Sequence, residues 1–513
     1  MKIGSRGRPK IPRETIVVWG AVLAYVLILS FLMRKDFVDD AYIGFRYIDN
    51  VLQGHGFVFN PPVRIEGVTN IGWLLVLTPF SVLFPVTASA KILSGLLLVA
   101  AAAATAKLSV FAFEERGRFA APAIWPLALV ANFDFLLFSS TGMETALMGF
   151  CLSGMILLAA RRPTWTAAAL LGAFAFLVRP ESVLIFPLAL ALDAAFDAAL
   201  WKKRALSLAV FISLIAGITI LRRVYFGDFL PNTFYAKLPA LDSVLENIGL
   251  FFLGAAGNIP PPFAGWIALP LWINGAVCIR RKNRTAGSFA AAVLAAGILF
   301  SLYAPQDWTA LGRYFAPYLP IATLVLLCGL ADVVRRLPPL FSKEGRPKLL
   351  VGLACVLLIA AGVSRTLLFL LTDERREYPG FVMTSLSLIE PSVWVRDHVP
   401  DRAVVATGRI GAISFFSEKR IFDYKYGLTE RAVARLRRKL RREFVDPRDP
   451  ELGDLWRAAN PDYFLEDADR IASVFQLNRR TGSPIRIQGT DFRLLKTFKL
   501  GLFKDWALYE RVR

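Results

Sequence analysis

The sequence lacks the motifs by which soluble enzymes commonly bind nucleotides or metals. It contains no Walker A loop, no glycine-rich dinucleotide loop, no HExxH pair and no Ser-His-Asp signature. Histidine is rare, with 2 residues in 513. These absences argue against a mechanism that draws on ATP or on a nucleotide-linked sugar.

Cysteine is also scarce, and its placement excludes a disulfide framework. The chain has 4 cysteines, and each lies inside a hydrophobic segment. We interpret them as small apolar residues rather than as a disulfide or metal-binding set. They are Cys151, Cys278, Cys328 and Cys355.

Hydrophobic residues, in contrast, are abundant. They make up 55% of the chain, and the mean hydropathy is +0.50. A soluble globular protein cannot bury that much apolar surface, so the composition predicts a polytopic membrane protein in a lipid bilayer. The basic stretch 1–13 runs into the first apolar segment without a small-residue cleavage site, so we expect it to be retained.

The net charge of +20 does not indicate nucleic-acid binding. Most Lys and Arg residues cluster in short runs between apolar segments, where they set the orientation of a membrane protein. No groove-reading or RNA-reading motif accompanies the charge. We therefore predict no nucleic-acid partner and a cytoplasmic N-terminus.

The apolar segments predict an all-α polytopic domain over 1–371. The segment 71–84 is short and is interrupted by Pro79 and Pro85, so we interpret it as re-entrant or interfacial. With that choice the basic runs fall on the cytoplasmic side of about 11 spans. The predicted spans are 16–33, 88–112, 120–138, 144–160, 165–179, 182–200, 205–221, 262–280, 286–304, 314–334 and 348–371.

The composition becomes mixed after residue 371, which predicts a small extracytoplasmic α/β domain over 372–513. The segment 401–426 has the pattern of a strand, a glycine turn, a short helix and a second strand. A basic amphipathic helix is predicted over 429–444. The segments 461–464 and 506–512 are predicted to be further strands.

The first external loop, 34–70, carries more polar chemistry than a simple connector needs. It begins with adjacent carboxylates at Asp39 and Asp40, and the pattern of an amphipathic helix follows. The sequence Gly54-His55-Gly56 then ends the helix. We interpret this loop as the active-site loop, with Asp39 and Asp40 as the catalytic candidates.

Four further polar connectors, 141–145, 178–182, 222–237 and 306–314, are predicted to lie on the same external face. Polar groups near a membrane are costly and usually mark a pathway or a site. These connectors and the first loop therefore predict one cleft. The candidate substrate-binding residues are Arg46, His55, Glu66, Asn70, Glu144, Arg179, Glu181, Asn232, Tyr235, Lys237, Asp307, Trp308 and Arg313.

The two catalytic candidates also have a structural interpretation. Asp is a preferred N-cap residue, so one of the pair could simply begin the helix. Adjacent helical residues point about 100° apart, so only one need act as a base. We favour Asp40 as the base and leave Asp39 to cap or to orient.

Other candidates have comparable alternatives. Glu144 suits the positive end of a helix dipole, and Arg179 with Glu181 suits an ion pair at the end of a span. His55 is either a loop residue or a hydrogen-bond donor to a sugar. Trp308 beside Arg313 suits an aromatic platform for a sugar and a cation for a phosphate.

The order of several motifs resembles bacterial membrane glycosyltransferases of the GT-C superfamily. The motifs are DDAYIGFRYIDNVLQGHGFVFNPPVRIEGVTN, TGMETAL, LVRPESVL, YFGDFLPNTFYAK and DWTALGRYFAPYLP, followed by GRIGAISFFSEKRIFDYKYGLTE. Within that superfamily the chain looks most like the mycobacterial-type terminal arabinofuranosyltransferase relatives.

The resemblance implies a polyprenyl-phosphate sugar donor and an acceptor hydroxyl on a cell-envelope glycan, lipid or protein. It implies that Asp39 or Asp40 is the general base, and the chemistry assigns the departing phosphate first to Arg313 and then to Lys237. A divalent cation at Asp39 and Asp40 stays open, as do the sugar and the oligomeric state. The implied location is the bacterial inner membrane.

Two other functions compete with a glycosyltransferase. A transporter or flippase of lipid-linked saccharides would also need a polar cleft between spans, but such proteins usually carry pseudo-repeats or matching broken helices. Neither pattern is clear in this sequence. A structural membrane subunit would leave the clustered acids of the first loop unexplained.

Overall fold

The computed structural model has a large helical part followed by a small domain built on a β-sheet. It describes residues 13–112, 121–161, 165–194, 200–236, 241–253, 259, 265–305, 312–336, 346–371, 383–442, 444–475, 484–499 and 505–512.

The helical part begins with a long apolar helix and then places the short helix of the first loop against the bundle. Its helices are α1 (Arg13–Leu32), α2 (Asp39–Leu52), α3 (Ile71–Ser81), α4 (Val86–Ala112), α5 (Ala121–Val130), α6 (Phe133–Ser140), α7 (Thr145–Ala160), α8 (Trp165–Val178), α9 (Ile185–Ala194), α10 (Trp201–Phe226), α11 (Asn232–Ala236), α12 (Leu241–Leu253), α13 (Ala268–Lys282), α14 (Arg284–Tyr303), α15 (Leu319–Arg336) and α16 (Arg346–Leu371).

Six helices of the described residues are long and apolar enough to cross a membrane, or seven if α6 and α7 form one broken span bent by 120°. The short helices α3 and α8 are also apolar. The protein is therefore a multi-pass membrane protein. Our higher number of spans and the sidedness of the basic connectors stay predictions.

The predicted continuous span 120–138 is wrong, because the chain forms two short helices there. Helix α5 ends at Val130, and the side chain of Asn132 accepts a hydrogen bond from the Phe135 amide to begin α6. Asn is a strong N-cap residue, so it starts a new helix inside an apolar run. The turn between α6 and α7 contacts α3, where the Trp73 indole donates to the Gly142 carbonyl.

Close backbone approach holds part of the bundle together. A Cβ atom at Gly275 would lie 1.9 Å from the Val325 carbonyl oxygen, and one at Gly329 would lie 2.0 Å from the Leu271 carbonyl oxygen. Helices α13 and α15 can therefore touch only because both positions lack side chains. Small residues at such crossings are typical of helix pairs in membranes.

The second part contains a six-stranded sheet in the order β2-β1-β3-β6-β5-β4. Strands β1, β2 and β3 are parallel, and the remaining pairs are antiparallel. The strands are β1 (Val404–Thr407), β2 (Arg420–Asp423), β3 (Tyr463–Asp467), β4 (Ile485–Ile487), β5 (Thr490–Phe498) and β6 (Trp506–Arg511). The helices are α17 (Met383–His398), α18 (Gly411–Ser417), α19 (Arg431–Leu440), α20 (Gly453–Ala459) and α21 (Ala468–Phe475).

The predicted fold class is confirmed, including the strand, helix and strand over 401–426 and the later strands β3 and β6. The predicted helix over 429–444 was too long. Helix α19 ends at Leu440, because Arg441 adopts a left-handed conformation with φ of 52°. Phe444 therefore lies outside the helix.

One hydrophobic core extends from the helical part into the sheet domain, which also has a second core of its own. Buried residues of the sheet domain, such as Val405 and Ile413, belong to the same cluster as the membrane helices. The Tyr42 ring of α2 lies 5.4 Å from the Phe415 ring and 5.1 Å from the Phe416 ring of α18. The first loop is therefore packed against the sheet domain rather than projecting freely.

Candidate active site

The acidic pair of the first loop meets a cation that lies far along the chain. The Asp40 Oδ2 atom lies 2.9 Å from Arg313 Nη1, and Arg313 is almost fully buried. The Asp40 side chain keeps 27% of its surface exposed. A partly open carboxylate therefore sits beside a guanidinium that is supported on the protein side.

A buried network supports this pair from behind. The Glu144 carboxylate accepts from Arg179 Nε at 2.8 Å and from the Asn70 amide at 2.8 Å. Arg179 also contacts Glu181 at 3.3 Å. Four predicted site residues from three connectors thus form one set of charge-assisted hydrogen bonds.

The network is joined to Arg313 through the backbone. Arg179 Nη1 donates to the carbonyl of Tyr314 at 3.3 Å, which is the residue directly after Arg313. Rotation or loss of Arg179 would therefore displace the segment that carries the Arg313 side chain. Arg179 is buried, and its predicted ion pair with Glu181 is present.

Asp39 has a different environment from Asp40. Its two carboxylate oxygens accept hydrogen bonds from the backbone amides of Gly411 and Ala412, at 3.2 and 2.8 Å. Asp39 thus caps α18 of the sheet domain, whereas its own helix has Val38 at the N-cap and no side-chain cap. Burial raises the pKa of Asp39, although the Ala412 amide and Arg409 oppose that shift.

We predict that Asp39→Ala weakens the contact between the first loop and the sheet domain. The change leaves two buried amides without an acceptor, which costs about 1–3 kcal/mol each. Hydrogen exchange of the α18 amides should accelerate, and thermal unfolding should begin at a lower temperature. Asp39→Asn keeps one carbonyl acceptor and should have a smaller effect; equal effects of the two changes would contradict the capping role.

A second buried ion pair ties the end of the first loop to α10. Glu66 Oε2 accepts from Arg222 Nε at 2.6 Å, and both side chains are buried. Burial raises the pKa of Glu66 to about 7, and Arg222 opposes the shift. The Glu66 carbonyl accepts from the Asn232 amide, and the Asn232 side chain donates to the carbonyls of Gly427 and Leu428. Glu66 and Asn232 thus join three parts of the chain rather than facing the Asp40 cleft.

Three further predicted residues, Arg46, His55 and Tyr235, take no part in the Asp40–Arg313 contact. Arg46 is buried and donates to the Glu418 carbonyl, which adds to the contact with the sheet domain. His55 is exposed. Tyr235 is half-buried, with the Arg438 guanidinium 5.9 Å from its ring. Lys237, Asp307 and Trp308 lie outside the described residues.

Sequence reasoning missed Lys91, which holds the first loop in place. Its ammonium group donates to the carbonyls of Asp36 and Ser140 and lies 4.1 Å from the Phe37 ring centroid. A lysine inside the apolar sequence TASAKILSG was the available signal, because charges in such segments are rarely without a role.

The acidic pair does not fit a divalent cation. Both Asp39 oxygens already accept from backbone amides, and Asp40 faces the Arg313 guanidinium. Among the described residues, no group of three or more His, Cys, Asp or Glu side chains is placed to hold a metal.

A large apolar cavity of about 1280 Å³ lies beside the first loop. Its walls come from α1, α4 and α17. Phe37 and Tyr42 also line it, so the cavity reaches the beginning of α2. Basic and acidic side chains also line it, namely Arg34, Lys35, Lys91, Glu390 and Asp397. The combination suits an apolar chain that ends in an anionic group.

Two sequence comparisons match the chain. The family described as "Domain of unknown function (DUF8728)" matches residues 383–509. The terminal beta-(1->2)-arabinofuranosyltransferase of Mycobacterium tuberculosis is 29% identical over 283 residues. That match covers 50% of this chain and 43% of the mycobacterial protein, so the chain spans less than half the length of this relative.

Solved structures match the whole architecture. ArnT from Cupriavidus metallidurans bound to undecaprenyl phosphate has a TM-score of 0.54 and 16% identity, over 96% of this chain and 97% of that one. The apo state of the same protein has a TM-score of 0.53 and 15% identity, over 96% of this chain and 98% of that one. An oligosaccharyltransferase from Archaeoglobus fulgidus, tethered to an acceptor peptide, has a TM-score of 0.53 and 14% identity. This match covers 88% of this chain and 69% of that one. The chain therefore has the GT-C fold, as the motif order predicted.

Proposed function

We propose that this protein is a membrane glycosyltransferase that transfers a sugar from a polyprenyl-phosphate donor to an acceptor hydroxyl. The acceptor belongs to a cell-envelope glycan, lipid or protein on the external face of the bacterial inner membrane. The observation that carries the proposal is the Asp40–Arg313 pair, because it places a proton acceptor beside a phosphate-binding cation.

The proposed reaction is a single displacement at the anomeric carbon. The acceptor oxygen forms a bond to that carbon while the bond from the carbon to the phosphate oxygen breaks. Asp40 takes the hydroxyl proton, and Arg313 stabilises the negative charge that develops on the departing polyprenyl phosphate. No metal, oxidant or nucleotide is needed to balance the reaction.

The ion pair suggests how the donor prepares the base. Before the donor binds, Arg313 is engaged by Asp40 at 2.9 Å. The donor's phosphodiester has two non-bridging oxygens that share one negative charge. It competes for the guanidinium, because Arg can bind both oxygens in a bidentate manner. Donor binding then leaves the Asp40 carboxylate available to the acceptor hydroxyl.

The cavity beside α2 supports a lipid-linked donor. Its apolar walls suit a prenyl chain, and the first loop that carries Asp40 lies next to it. ArnT, whose structure contains undecaprenyl phosphate, has a similar fold. Because the mycobacterial relative is named for arabinofuranose transfer, arabinofuranose is the first sugar to test.

We predict that Arg313→Ala lowers the turnover of the purified protein by about 10²–10³-fold with a polyprenyl-phosphate sugar. The assay follows a radiolabelled sugar from a panel of such donors into native membrane acceptors, in detergent and without a gradient. The membrane content of the variant should stay close to the wild-type level. An equal loss of turnover and protein would contradict the phosphate role.

Arg336→Ala is the matched control, because that side chain is 60% exposed at the end of α15. It should retain wild-type turnover. If the folded wild type transfers no sugar from any donor to native acceptors, the glycosyltransferase proposal is wrong. Gradient-dependent movement of the donor without transfer would instead support a transporter.

A further inference from the structure

A second site candidate lies at the carboxyl edge of strands β1, β2 and β3. The sheet order places β1 between β2 and β3. The connection after β1 leads to β2 at one edge of the sheet. The connection after β3 leads to β4 at the opposite edge, so these two connections run in opposite directions. Ligands of open α/β sheets bind in the crevice that forms where such connections separate.

Lys425 is buried at this edge without an obvious counter-ion. Its residue surface is 4% exposed, and its ammonium group has no hydrogen-bond or ion-pair partner among the described residues. It lies 5.0 Å from the Tyr426 ring centroid and 5.6 Å from the Phe444 ring centroid. A buried ammonium without a hydrogen-bonded partner is costly, so its retention here needs an explanation.

The nearby carboxylates are already engaged. Glu466 accepts from the Tyr424 hydroxyl at 2.6 Å and from the Asp467 amide at 3.2 Å. The Asp423 carboxylate accepts from the amides of Tyr426 and Leu428. Burial lowers the pKa of Lys425 to about 8, while Glu466 opposes the shift. Both carboxylates therefore accept hydrogen bonds from groups at the strand ends. Neither is hydrogen-bonded to the Lys425 ammonium.

The Gly408 backbone packs closely against the Lys425 side chain. A Cβ atom at Gly408 would lie 2.4 Å from Lys425 Cδ and 2.8 Å from Glu466 Oε2. Any side chain there would push against both. The lysine stem and the first residue after β1 can therefore share this narrow edge only because position 408 is a glycine.

Two arginines add positive charge around Lys425. Arg409 and Arg470 both interact electrostatically with it. The Arg470 guanidinium lies 4.8 Å from the Phe444 ring centroid, and the Phe444 side chain is partly exposed. Arg409 also acts on Asp39, which precedes the proposed base Asp40. The cationic edge thus continues towards the first loop.

We propose that this edge, with Lys425 at its base, binds an acidic sugar unit of the acceptor. The phosphate or carboxylate group accepts hydrogen bonds from the Lys425 ammonium, and Arg409 and Arg470 add attraction. The exposed part of the Phe444 side chain provides apolar surface for the sugar ring. The assignment to the acceptor rests on the proposed glycosyltransferase function, whereas the binding of the acidic group does not.

Calorimetric titration of the full-length protein in detergent tests the site with two probes, inorganic phosphate and glucuronate. Arabinose serves as the neutral control at matched ionic strength. We expect saturable binding of at least one acidic probe and none of arabinose. Lys425→Met should weaken that binding at least about tenfold, equivalent to about 1.4 kcal/mol.

Matched variants separate the site from a structural effect. Lys439→Met removes a lysine that is 73% exposed on α19, so it should bind as the wild type does. Lys425→Arg keeps the charge and should retain part of the affinity. Arg470→Gln should weaken binding by a smaller factor, and it keeps the proposal testable if Lys425→Met fails to fold.

Two results would overturn the inference. One is the absence of saturable binding of both acidic probes to the wild type. The other is unchanged affinity in folded Lys425→Met or, if that variant does not fold, in Arg470→Gln. Sugar transfer without anion binding would reject this site alone, whereas anion binding without transfer would reject the catalytic proposal and keep the site.

Discussion

Asp40→Asn is expected to lower sugar transfer by about 10²–10⁴-fold, because the amide cannot take the acceptor proton. The substitution preserves size and leaves an oxygen that can still face Arg313. Turnover should therefore fall while the protein remains folded and membrane-inserted. The measurement is initial rate against acceptor concentration, combined with thermal unfolding of the same preparation.

Asp49→Asn is the matched control on the same helix. Asp49 is half-buried near Arg46, away from Arg313, and burial raises its pKa to about 6. Its amide variant should keep wild-type turnover. A fully active Asp40→Asn protein would exclude Asp40 as the base, and loss of activity only in Asp39→Asn would move that role to its neighbour.

Arg179→Leu is expected to destabilise the protein by about 3–5 kcal/mol, since it leaves buried Glu144 and its neighbour Glu181 without their cation. It also removes the donor to the Tyr314 carbonyl, so Arg313 loses its support. Denaturant or thermal unfolding in detergent measures the stability, and residual transfer at low temperature measures the effect on the site.

A double variant distinguishes the ion pair from simple loss of packing. Adding Glu144→Gln to Arg179→Leu removes one stranded charge, so it should recover part of the lost stability. Arg402→Leu changes an exposed arginine of the sheet domain and should have little effect. No recovery in the double variant would indicate that the Glu144–Arg179 charge interaction contributes little.

The fold was predictable where local pattern and tertiary structure agree. Alternating apolar residues separated by a glycine predicted β1, α18 and β2, and the apolar run 144–160 nearly matches α7. The prediction failed at Asn132, whose cap divides an apolar run that hydropathy alone treats as continuous. It also missed α17, where Pro391 lies inside the helix and the composition is mixed.

The site was predictable as a set of segments but not as a set of contacts. In the structure Asn70, Glu144 and Arg179 are in contact, and Asp40 meets Arg313; the sequence predicted these residues on connectors of one face. Which carboxylate meets which cation depends on contacts across hundreds of residues, and these leave no local periodicity. The capture of Asp39 by the amides of α18 is the clearest example.

The contact between Asp39 and the Gly411 amide joins residues that are 372 positions apart in the chain. A ribosome adds about 5–20 residues each second, so the amides that bind Asp39 are synthesised roughly 20–75 s after Asp39 itself. During that interval the Asp39 carboxylate has no backbone amides to accept from, so only water can satisfy it. A translation product that stops before residue 411 stays in that condition, which offers cellular quality control a means of recognising it.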